Sequence, residues 1–219
     1  MRQEWFIIDR WGRRPIHRAD ARPRSVHGAD EIDWPPFNQL VTRAPTHLVV
    51  KALQTFTSML DVQLLDVTDA PQRWLGAVLV GQCGDVVLVS EPGTELDERL
   101  LHPDSADAIH GLLADDGAFF GYQPESGTVH VTRYELGAPT MEWWDSVAPG
   151  PSFARTYEAN GRAQDEEPRQ FALRALGLPP AQPMLDRHEF VAHVLRSVGL
   201  ERLAPEFDDV AIAHAFRLT

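Results

Sequence analysis

Two short apolar runs, residues 74–80 and 86–89, constrain the fold of this chain more than any other feature. They are built from Trp, Leu, Val, Ala and Gly, without the alternation of apolar and polar residues that is expected of a strand with one solvent-exposed face. Continuous apolar runs of this length are typical of strands that are buried on both faces. Residues 81–85, which separate the runs, include two glycines and an aspartate, a composition that favours a hairpin loop. The sequence therefore predicts a buried hairpin with other elements packed above and below it.

A helix is predicted to begin at Pro45 and Thr46 and to cover one face of this hairpin. Thr46 is a candidate N-cap, and apolar residues follow it at helical spacing. The apolar stripe comprises Leu48, Val49, Ala52, Leu53, Phe56, Met59 and Leu60. Burial of the stripe would contribute on the order of 10 kcal/mol before conformational entropy is subtracted.

The other predicted elements mix helices with hairpins and lack the strand–helix rhythm of a parallel sheet. They are strands at 4–8, 62–67, 118–122 and 128–136, and helices at about 104–113, 166–176, 187–198 and 206–216. Residues 137–164 are rich in glycine and proline and are predicted to form an ordered loop with a short helix at 152–158. This order predicts an α+β fold with a mainly antiparallel sheet built on two hairpins, packed by helices, and with a helical C-terminal segment.

Composition divides the chain into a body and two less regular parts. Residues 9–36 carry six arginines and four prolines without periodicity, which predicts an irregular arm. The proline-rich residues 178–183 indicate a linker. We therefore expect an α+β body over 1–178 and a helical appendage over 184–219, and the sequence leaves open whether the appendage docks on the body.

Charge is distributed unevenly along the chain. The formal net charge is −12, yet residues 1–24 hold seven arginines against three acids, which leaves −16 on the remaining 195 residues. A body this acidic repels nucleic-acid phosphates and anionic membranes, and attracts a basic protein. The simpler alternative is that surplus acid only maintains solubility. Nucleic-acid binding through the arginine-rich arm, which also contains Trp11 and His17, is a further alternative.

Cysteine usage and hydropathy predict a cytoplasmic protein without a membrane partner. Cys83 is the single cysteine, which excludes an internal disulfide and fits a reducing compartment. The N-terminal apolar run is too short for a signal peptide, and no stretch of the sequence is long and apolar enough for a membrane span.

The sequence contains no strong catalytic or metal-binding motif. Cys83 lies in a predicted hairpin loop, where no helix N-terminus lowers the pKa of its thiol. Asp107 and His110 are three apart on a predicted helix and could form half of a metal site. His188 and His193 are five apart, so a helix cannot present both imidazoles as the zinc-protease motif does. We expect no metal and no cofactor, and the alternative of an enzyme with a cleft site using Cys83 or His and Asp residues stays open.

The pair Trp143–Trp144 is the best candidate for a binding site. Adjacent tryptophans cannot both point into one core unless the backbone turns between them, and an exposed one would be a natural interface anchor. The alternative is that both cap the core beneath a long loop. The candidate binding residues, all near the second predicted hairpin, are Trp143, Trp144, Asp145, Asp115 and Asp116.

Residues 114–158 resemble the C-terminal half of the SUKH superfamily. The resemblance rests on the strand around Gly117 and Gly121, on Gly127-Thr128-Val129, and on Ser152-Phe153 at the start of a predicted helix. It implies an α+β immunity protein that neutralises a bacterial toxin without catalysis. The family's N-terminal helix and tryptophan motif are not found in this sequence, so no functional residue is carried over. The acidic body and the resemblance together predict a non-enzymatic binding protein with a basic protein partner.

Overall fold

The structure is a computed structural model, and it describes the greater part of the chain in eleven segments. These are residues 6–9, 12–15, 37–56, 62–65, 77–92, 101, 103–123, 127–146, 152–180, 187–199 and 211–218. The strands in these segments are β1 (Phe6–Asp9), β2 (Gly12–Pro15), β3 (Phe37–Thr42), β4 (Val62–Leu65), β5 (Ala77–Cys83), β6 (Val86–Pro92), β7 (Gly117–Gln123), β8 (Thr128–Glu135), β9 (Ala138–Asp145), β10 (Phe153–Tyr157), β11 (Ala163–Glu166) and β12 (Ala211–Leu218). The helices are α1 (Thr46–Phe56), α2 (Pro103–Leu113), α3 (Pro168–Ala175) and α4 (Arg187–Ser197).

Ten of the strands form one sheet in the order β11-β10-β9-β8-β7-β3-β6-β5-β12-β4. Every pairing in it is antiparallel. The fold is therefore α+β with an antiparallel sheet, as the sequence predicted. β1 and β2 form a separate two-stranded sheet, so residues 12–15 of the predicted arm are a strand, and residues 16–36 of that arm lie outside the described residues.

The predicted buried hairpin is β5–β6, and it lies near the centre of the sheet. Val78, Leu79 and Val80 are at most 2 % exposed, and residues 86–89 are equally buried. The turn is shorter than predicted because the strands run on to Cys83 and Val86. Gly84 has φ +57 at the first of the two turn positions, where a type II′ turn takes glycine.

Two hydrophobic cores lie on opposite faces of the sheet, because successive side chains of a strand alternate between faces. The first core joins the sheet to α3 and α4, and its largest members are Leu79, Leu88, Phe120, Tyr122, Trp143, Phe171, Phe190 and Leu195. The second core joins the sheet to α1 and α2, and its largest members are Leu40, Leu53, Leu101, Ile109, Phe119 and Tyr134. The β5–β6 hairpin contributes to both cores, which explains its continuous apolar runs.

Helix α1 covers the hairpin much as its apolar stripe predicts. Val49 and Leu53 are at most 2 % exposed and belong to the second core, and Phe56 packs against that core. Leu48 departs from the prediction because its side chain is 42 % exposed. Met59 and Leu60 lie outside the described residues. None of the helices in the described part of the chain is long and apolar enough to cross a membrane.

The predicted loop over residues 137–164 is wrong, and so is the short helix at 152–158. This stretch holds β9, β10 and β11, which extend the sheet from β8 by successive antiparallel pairings. Trp143 pairs with Val131 on one side and with Ala154 on the other. These cross-strand partners satisfy the backbone and outweigh the turn propensity of the nearby glycines and prolines.

The C-terminal segment is also different from the prediction. Helices α3 and α4 confirm those predicted at 166–176 and 187–198, but the helix predicted at 206–216 is wrong, since residues 211–218 form β12. β12 pairs with β5 on one side and with β4 on the other, with a register shift between Ile212 and His214. The predicted appendage is thus part helix and part strand, and residues 181–183 of the predicted linker lie outside the described residues.

Strand β3, which the sequence did not predict, lies at the middle of the sheet between β6 and β7. Its buried polar residues Asn38, Gln39 and Thr42 conceal the strand pattern. The amide of Asn38 donates a hydrogen bond to the Leu101 carbonyl, and the buried Glu91 carboxylate accepts one from the Leu101 N–H at 2.8 Å. These bonds fix the chain entering α2 against the sheet.

Replacing Leu136 with asparagine should stabilise the protein. Leu136 and Gly137 form the β8–β9 turn with φ values of +52 and +80, and both positive values indicate a type I′ turn. Leucine is unfavourable in this left-handed conformation, and its side chain is 80 % exposed, so the change removes strain without losing burial. We expect the free energy of unfolding in urea to rise by about 1 kcal/mol. Leu136→Val is the control and should lower it; equal stability of all three proteins would contradict this assignment.

Candidate functional site

The face of β8–β10 opposite the first core is polar and aromatic. The second core ends at Phe119 and Tyr134, and beyond them the side chains on this face form one interacting group. We call this group the polar sheet face. It comprises His130, Thr132, Glu142, Trp144, Phe153, Arg155 and Tyr157. The strand alternation that sends Val131, Trp143 and Ala154 into the first core places these neighbours on the other side.

Three aromatic rings lie side by side across the polar sheet face. His130 is the cross-strand partner of Trp144, which is in turn the partner of Phe153. The His130 and Trp144 rings stack with centroids 5.1 Å apart and planes at 24°, and the Trp144 and Phe153 centroids are 5.5 Å apart. His130 is 6 % exposed, whereas Trp144 and Phe153 are half-buried. The row therefore presents two partly exposed rings whose orientation is fixed by their neighbours.

A charged row runs parallel to the aromatic one and centres on Glu142. One carboxylate oxygen of Glu142 lies 3.0 Å from Nε2 of His130, and the other accepts a hydrogen bond from the Tyr157 hydroxyl at 3.0 Å. Nε of Arg155 lies 3.7 Å from the second oxygen and 3.5 Å from Oδ1 of Asp165 on the next strand. Burial alone would raise the pKa of Glu142, but the bonds from His130 and Tyr157 and the charge of Arg155 outweigh it and lower that pKa.

Arg155 connects the two rows. Its guanidinium carbon lies 4.6 Å from the centroid of the Phe153 ring, within the range of a cation–π interaction. The same side chain is ion-paired with Glu142 and Asp165. Burial lowers the pKa of Arg155, but the interaction with Tyr157 and the charges of Glu142 and Asp165 outweigh it and raise that pKa above its ordinary value. Such mutual contacts restrict the side-chain rotamers, so a partner would meet a surface that is already ordered.

The contacts of His130 do not form a catalytic relay. A relay needs an acid on one ring nitrogen and the nucleophile on the other. In this structure Nε2 of His130 contacts both Glu142, at 3.0 Å, and the Thr132 hydroxyl, at 3.3 Å. Acid and hydroxyl thus share a single nitrogen, and this geometry favours a structural or binding role for the imidazole.

Asp107 and His110, the predicted half of a metal site, both contact Tyr134. His110 is fully buried and stacks on Tyr134 with ring centroids 3.9 Å apart. Asp107 accepts a hydrogen bond from the Tyr134 hydroxyl at 2.5 Å; partial burial raises the pKa of its carboxyl, and that hydrogen bond opposes the rise. Among the described residues, no group of three or more His, Cys, Asp or Glu is arranged to hold a metal ion.

His110 should make the protein less stable as the pH falls below neutrality. Burial lowers the pKa of His110 from 6.5 to about 4, with a smaller opposing contribution from the Ala118 backbone. Between these values the unfolded chain binds a proton that the folded protein excludes, so the free energy of unfolding decreases as the pH decreases. The loss should be about 3 kcal/mol between pH 6.5 and pH 4.

The contribution of His110 can be isolated by measuring urea unfolding as a function of pH. His110→Phe keeps a ring against Tyr134 and should abolish most of this loss, while His193→Gln, at an exposed position of α4, should leave it unchanged. An unaltered pH profile for His110→Phe would contradict the assignment.

The structure places the predicted tryptophan pair on opposite sides of β9. Trp143 is fully buried in the first core, and Trp144 lies half-buried on the polar sheet face. Because β9 is extended, adjacent side chains point in opposite directions without any turn of the backbone. Asp145 follows them, and its Oδ1 accepts hydrogen bonds from the Ser146 N–H at 2.9 Å and the Ser152 hydroxyl at 3.0 Å.

Asp115 and Asp116 lie at the other end of the same strands. Oδ1 of Asp116 accepts a hydrogen bond from the Leu136 N–H at 3.0 Å, in the turn that leads into β9. Oδ2 of Asp115 lies 3.5 Å from the Thr42 hydroxyl. Trp144 is near the far end of β9, roughly 20 Å away at about 3.3 Å per residue. The five predicted binding residues are therefore not brought together in one site.

Cys83 is the last residue of β5 and directly precedes the two-residue hairpin turn. Its backbone lies in a strand rather than at a helix N-terminus. The side chain of Cys83 lies outside the described part of the structure.

Sequence reasoning missed His130, Glu142, Arg155 and Tyr157. The local sequence carries little signal for them, because apolar and polar side chains do not alternate regularly over residues 141–144 or 153–157. The glycines and prolines around these residues therefore favoured the prediction of a loop over 137–164.

No family model, no curated protein and no solved structure gives a significant match to this chain. The resemblance of residues 114–158 to the SUKH superfamily therefore stays a prediction. The class that the geometry itself defines is an α+β protein with a ten-stranded antiparallel sheet. The polar sheet face lies on β8, β9 and β10, at the end of that sheet where β11 is the outermost described strand.

Proposed function

We propose that this chain is a non-enzymatic binding protein of the cytoplasm that holds a basic protein partner on the polar sheet face. An immunity-type role, in which the partner is a bacterial toxin, is the form of this proposal that the sequence resemblance suggests. The observation that carries it is the half-buried Trp144, whose ring is held between His130 and Phe153 on an uninterrupted sheet surface.

The chemistry of the polar sheet face supports this proposal. Tryptophan, tyrosine and arginine are the residues most enriched among those that dominate binding energy at protein interfaces, and Trp144, Arg155 and Tyr157 lie together here. Because each is already fixed by a cross-strand contact, a partner would lose little binding energy to ordering them.

The charge of the chain supports a basic partner rather than a nucleic acid. The formal net charge is −12, with the acids concentrated after residue 24. Such a field accelerates association with a basic protein and repels phosphates, and it is weakened by salt. A high-affinity complex formed in this way should therefore lose association rate as ionic strength increases.

The experiment is an affinity capture from the source cell with three forms of the immobilised protein. The wild type should retain a stoichiometric basic protein that high salt releases. Trp144→Ala should retain at least tenfold less, corresponding to a hot-spot loss of about 1.4 kcal/mol or more. Leu48→Ala, which removes a 42 % exposed leucine from α1, is the matched control and should bind like the wild type. Equal capture by the wild type and Trp144→Ala would refute the proposed site.

A further inference from the structure

The outer edge of β11 is a second surface that a polypeptide can use. Among the strands that the structure describes, β11 is the last one on this side of the sheet, and it pairs with β10 on its inner side. Ala163, Gln164 and Asp165 are exposed, and the Asp165 side chain is 78 % accessible. Alanine has little side chain of its own, so an exposed Ala163 means that the main chain beside it is also accessible.

The hydrogen-bond pattern identifies which main-chain groups point outward. The Glu158 N–H donates to the Arg162 carbonyl at 3.0 Å across the turn that joins β10 to β11. Antiparallel strands alternate between hydrogen-bonded and non-hydrogen-bonded pairs. Gln164 and Glu166 therefore bond inward to Thr156 and Ala154, while Ala163 and Asp165 direct their N–H and C=O groups away from the sheet.

The side chains along this edge, from Glu158 to Glu167, are predominantly acidic, with four acids and Arg162 as the one basic residue. Glu158, Asp165 and Glu167 are exposed, and Glu166 is paired with Arg174 at 2.5 Å. Natural sheets protect an open edge with short strands, charged side chains or proline, because an unpaired strand otherwise recruits other chains. The acidic side chains here repel an acidic strand and attract a basic one, so the edge discriminates between occupants by charge.

We propose that the outer edge of β11 accepts an extended segment that carries lysine or arginine, which adds to the sheet as a further strand. The segment belongs to the partner protein, and the inference rests on the proposed function only in taking that partner to be a basic polypeptide. The edge is continuous with the polar sheet face, because Asp165 is the cross-strand neighbour and ion-pair partner of Arg155. Main-chain bonds supply affinity in this mode, and side-chain charge supplies specificity.

The test is amide hydrogen exchange on the full chain, with and without a synthetic peptide that alternates arginine and valine. In the free protein the amides of Ala163 and Asp165 should exchange fast, and those of Gln164 and Glu166 should be protected. Saturating peptide at low salt should slow the exchange of Ala163 and Asp165 at least tenfold. Unchanged exchange at both amides, or equal protection by a peptide that alternates glutamate and valine, would overturn the proposal.

Two variants separate this edge from the polar sheet face. Ala163→Pro removes an outward N–H without taking a bond from β10, so it should abolish protection of Asp165 by the peptide. Asp165→Lys, at an exposed position, should reverse the preference toward the glutamate–valine peptide. Trp144→Ala should leave the protection of the β11 amides by the peptide intact. Loss of partner binding at the polar sheet face can therefore be distinguished from loss of peptide binding at the β11 edge. If the peptide protects the Asp165 amide as strongly in Ala163→Pro as in the wild type, the proposal for the β11 edge is refuted.

Discussion

Replacing Trp143 with alanine is expected to lower the free energy of unfolding by about 3–5 kcal/mol. Trp143 is 0 % exposed and is among the largest fully buried side chains in the described part of the chain. Its ring lies 4.5 Å from that of Phe190, which joins β9 to helix α4 across the first core. The substitution leaves a cavity that the surrounding strands and helix cannot close, because both are held by their own backbone hydrogen bonds.

Trp144→Ala is the matched control for this first prediction, since it removes the same side chain one residue later. Trp144 is half-buried on the polar sheet face, and its loss should cost only about 1 kcal/mol. Urea unfolding of both variants checks the difference. Equal destabilisation would mean that the two tryptophans are equally buried, and would contradict the placement of Trp144 on the opposite face of β9.

Replacing Gly117 with alanine should destabilise the protein by about 3 kcal/mol, the upper end of the usual range for overpacking, because its neighbours are rigid. A Cβ at Gly117 would lie 2.2 Å from the Val41 carbonyl oxygen and 2.3 Å from Cε1 of His110. The carbonyl belongs to β3, the central strand, and the imidazole is fully buried against Tyr134. Neither neighbour can retreat without breaking a strand pairing or displacing the stacked rings.

Gly111→Ala is the control for this second prediction, because it makes the same chemical change at an exposed position of α2. A Cβ there would contact nothing within 4 Å, and alanine is the better helix former by about 0.8–1 kcal/mol. We therefore expect Gly111→Ala to raise the free energy of unfolding and Gly117→Ala to lower it. Thermal unfolding of the two variants should shift the Tm in opposite directions, and a shift in the same direction would contradict the packing around Gly117.

The elements that the sequence predicted correctly are those whose local pattern and burial agree. The double apolar run became β5 and β6, since valine-rich residues on both faces of a strand have no other stable placement. Helix α1 followed from an apolar stripe with a threonine at its start. Helices α3 and α4 followed from the same kind of periodicity.

The elements that were missed depend on partners that are distant in sequence. β12 contains three alanines, which favour a helix, but it lies between β5 and β4, where the ladder bonds decide its conformation. β3 contains the buried amides of Asn38 and Gln39, which read as loop residues, and the Leu101 partner of Asn38 is 63 residues away in sequence. β9 and β10 were concealed by the glycines and prolines around them.

The candidate site was only partly predictable for the same reason. Trp144 was recognised because it is adjacent to Trp143, and two neighbouring tryptophans are a binding-site candidate whenever both cannot enter the same core. Its neighbours His130, Glu142 and Arg155 come from three strands, and only the register between those strands brings them into contact. Asp115 and Asp116 directly precede β7, whereas Trp144 lies near the end of β9. Because β7, β8 and β9 are paired antiparallel, the start of β7 and the end of β9 lie at opposite ends of these strands.

The position of β3 determines how the molecule can come apart. One side of this strand pairs with β6 of the β5–β6 hairpin and the other pairs with β7, so the backbone hydrogen bonds between the two halves of the sheet run through β3. A proteolytic fragment that lacks residues 37–42 would retain two separate groups of strands. Each group would have an unpaired edge strand, β6 or β7, whose side chains are buried in the intact protein. Such edges pair with the edges of other chains, so we expect a protein that has lost residues 37–42 to self-associate.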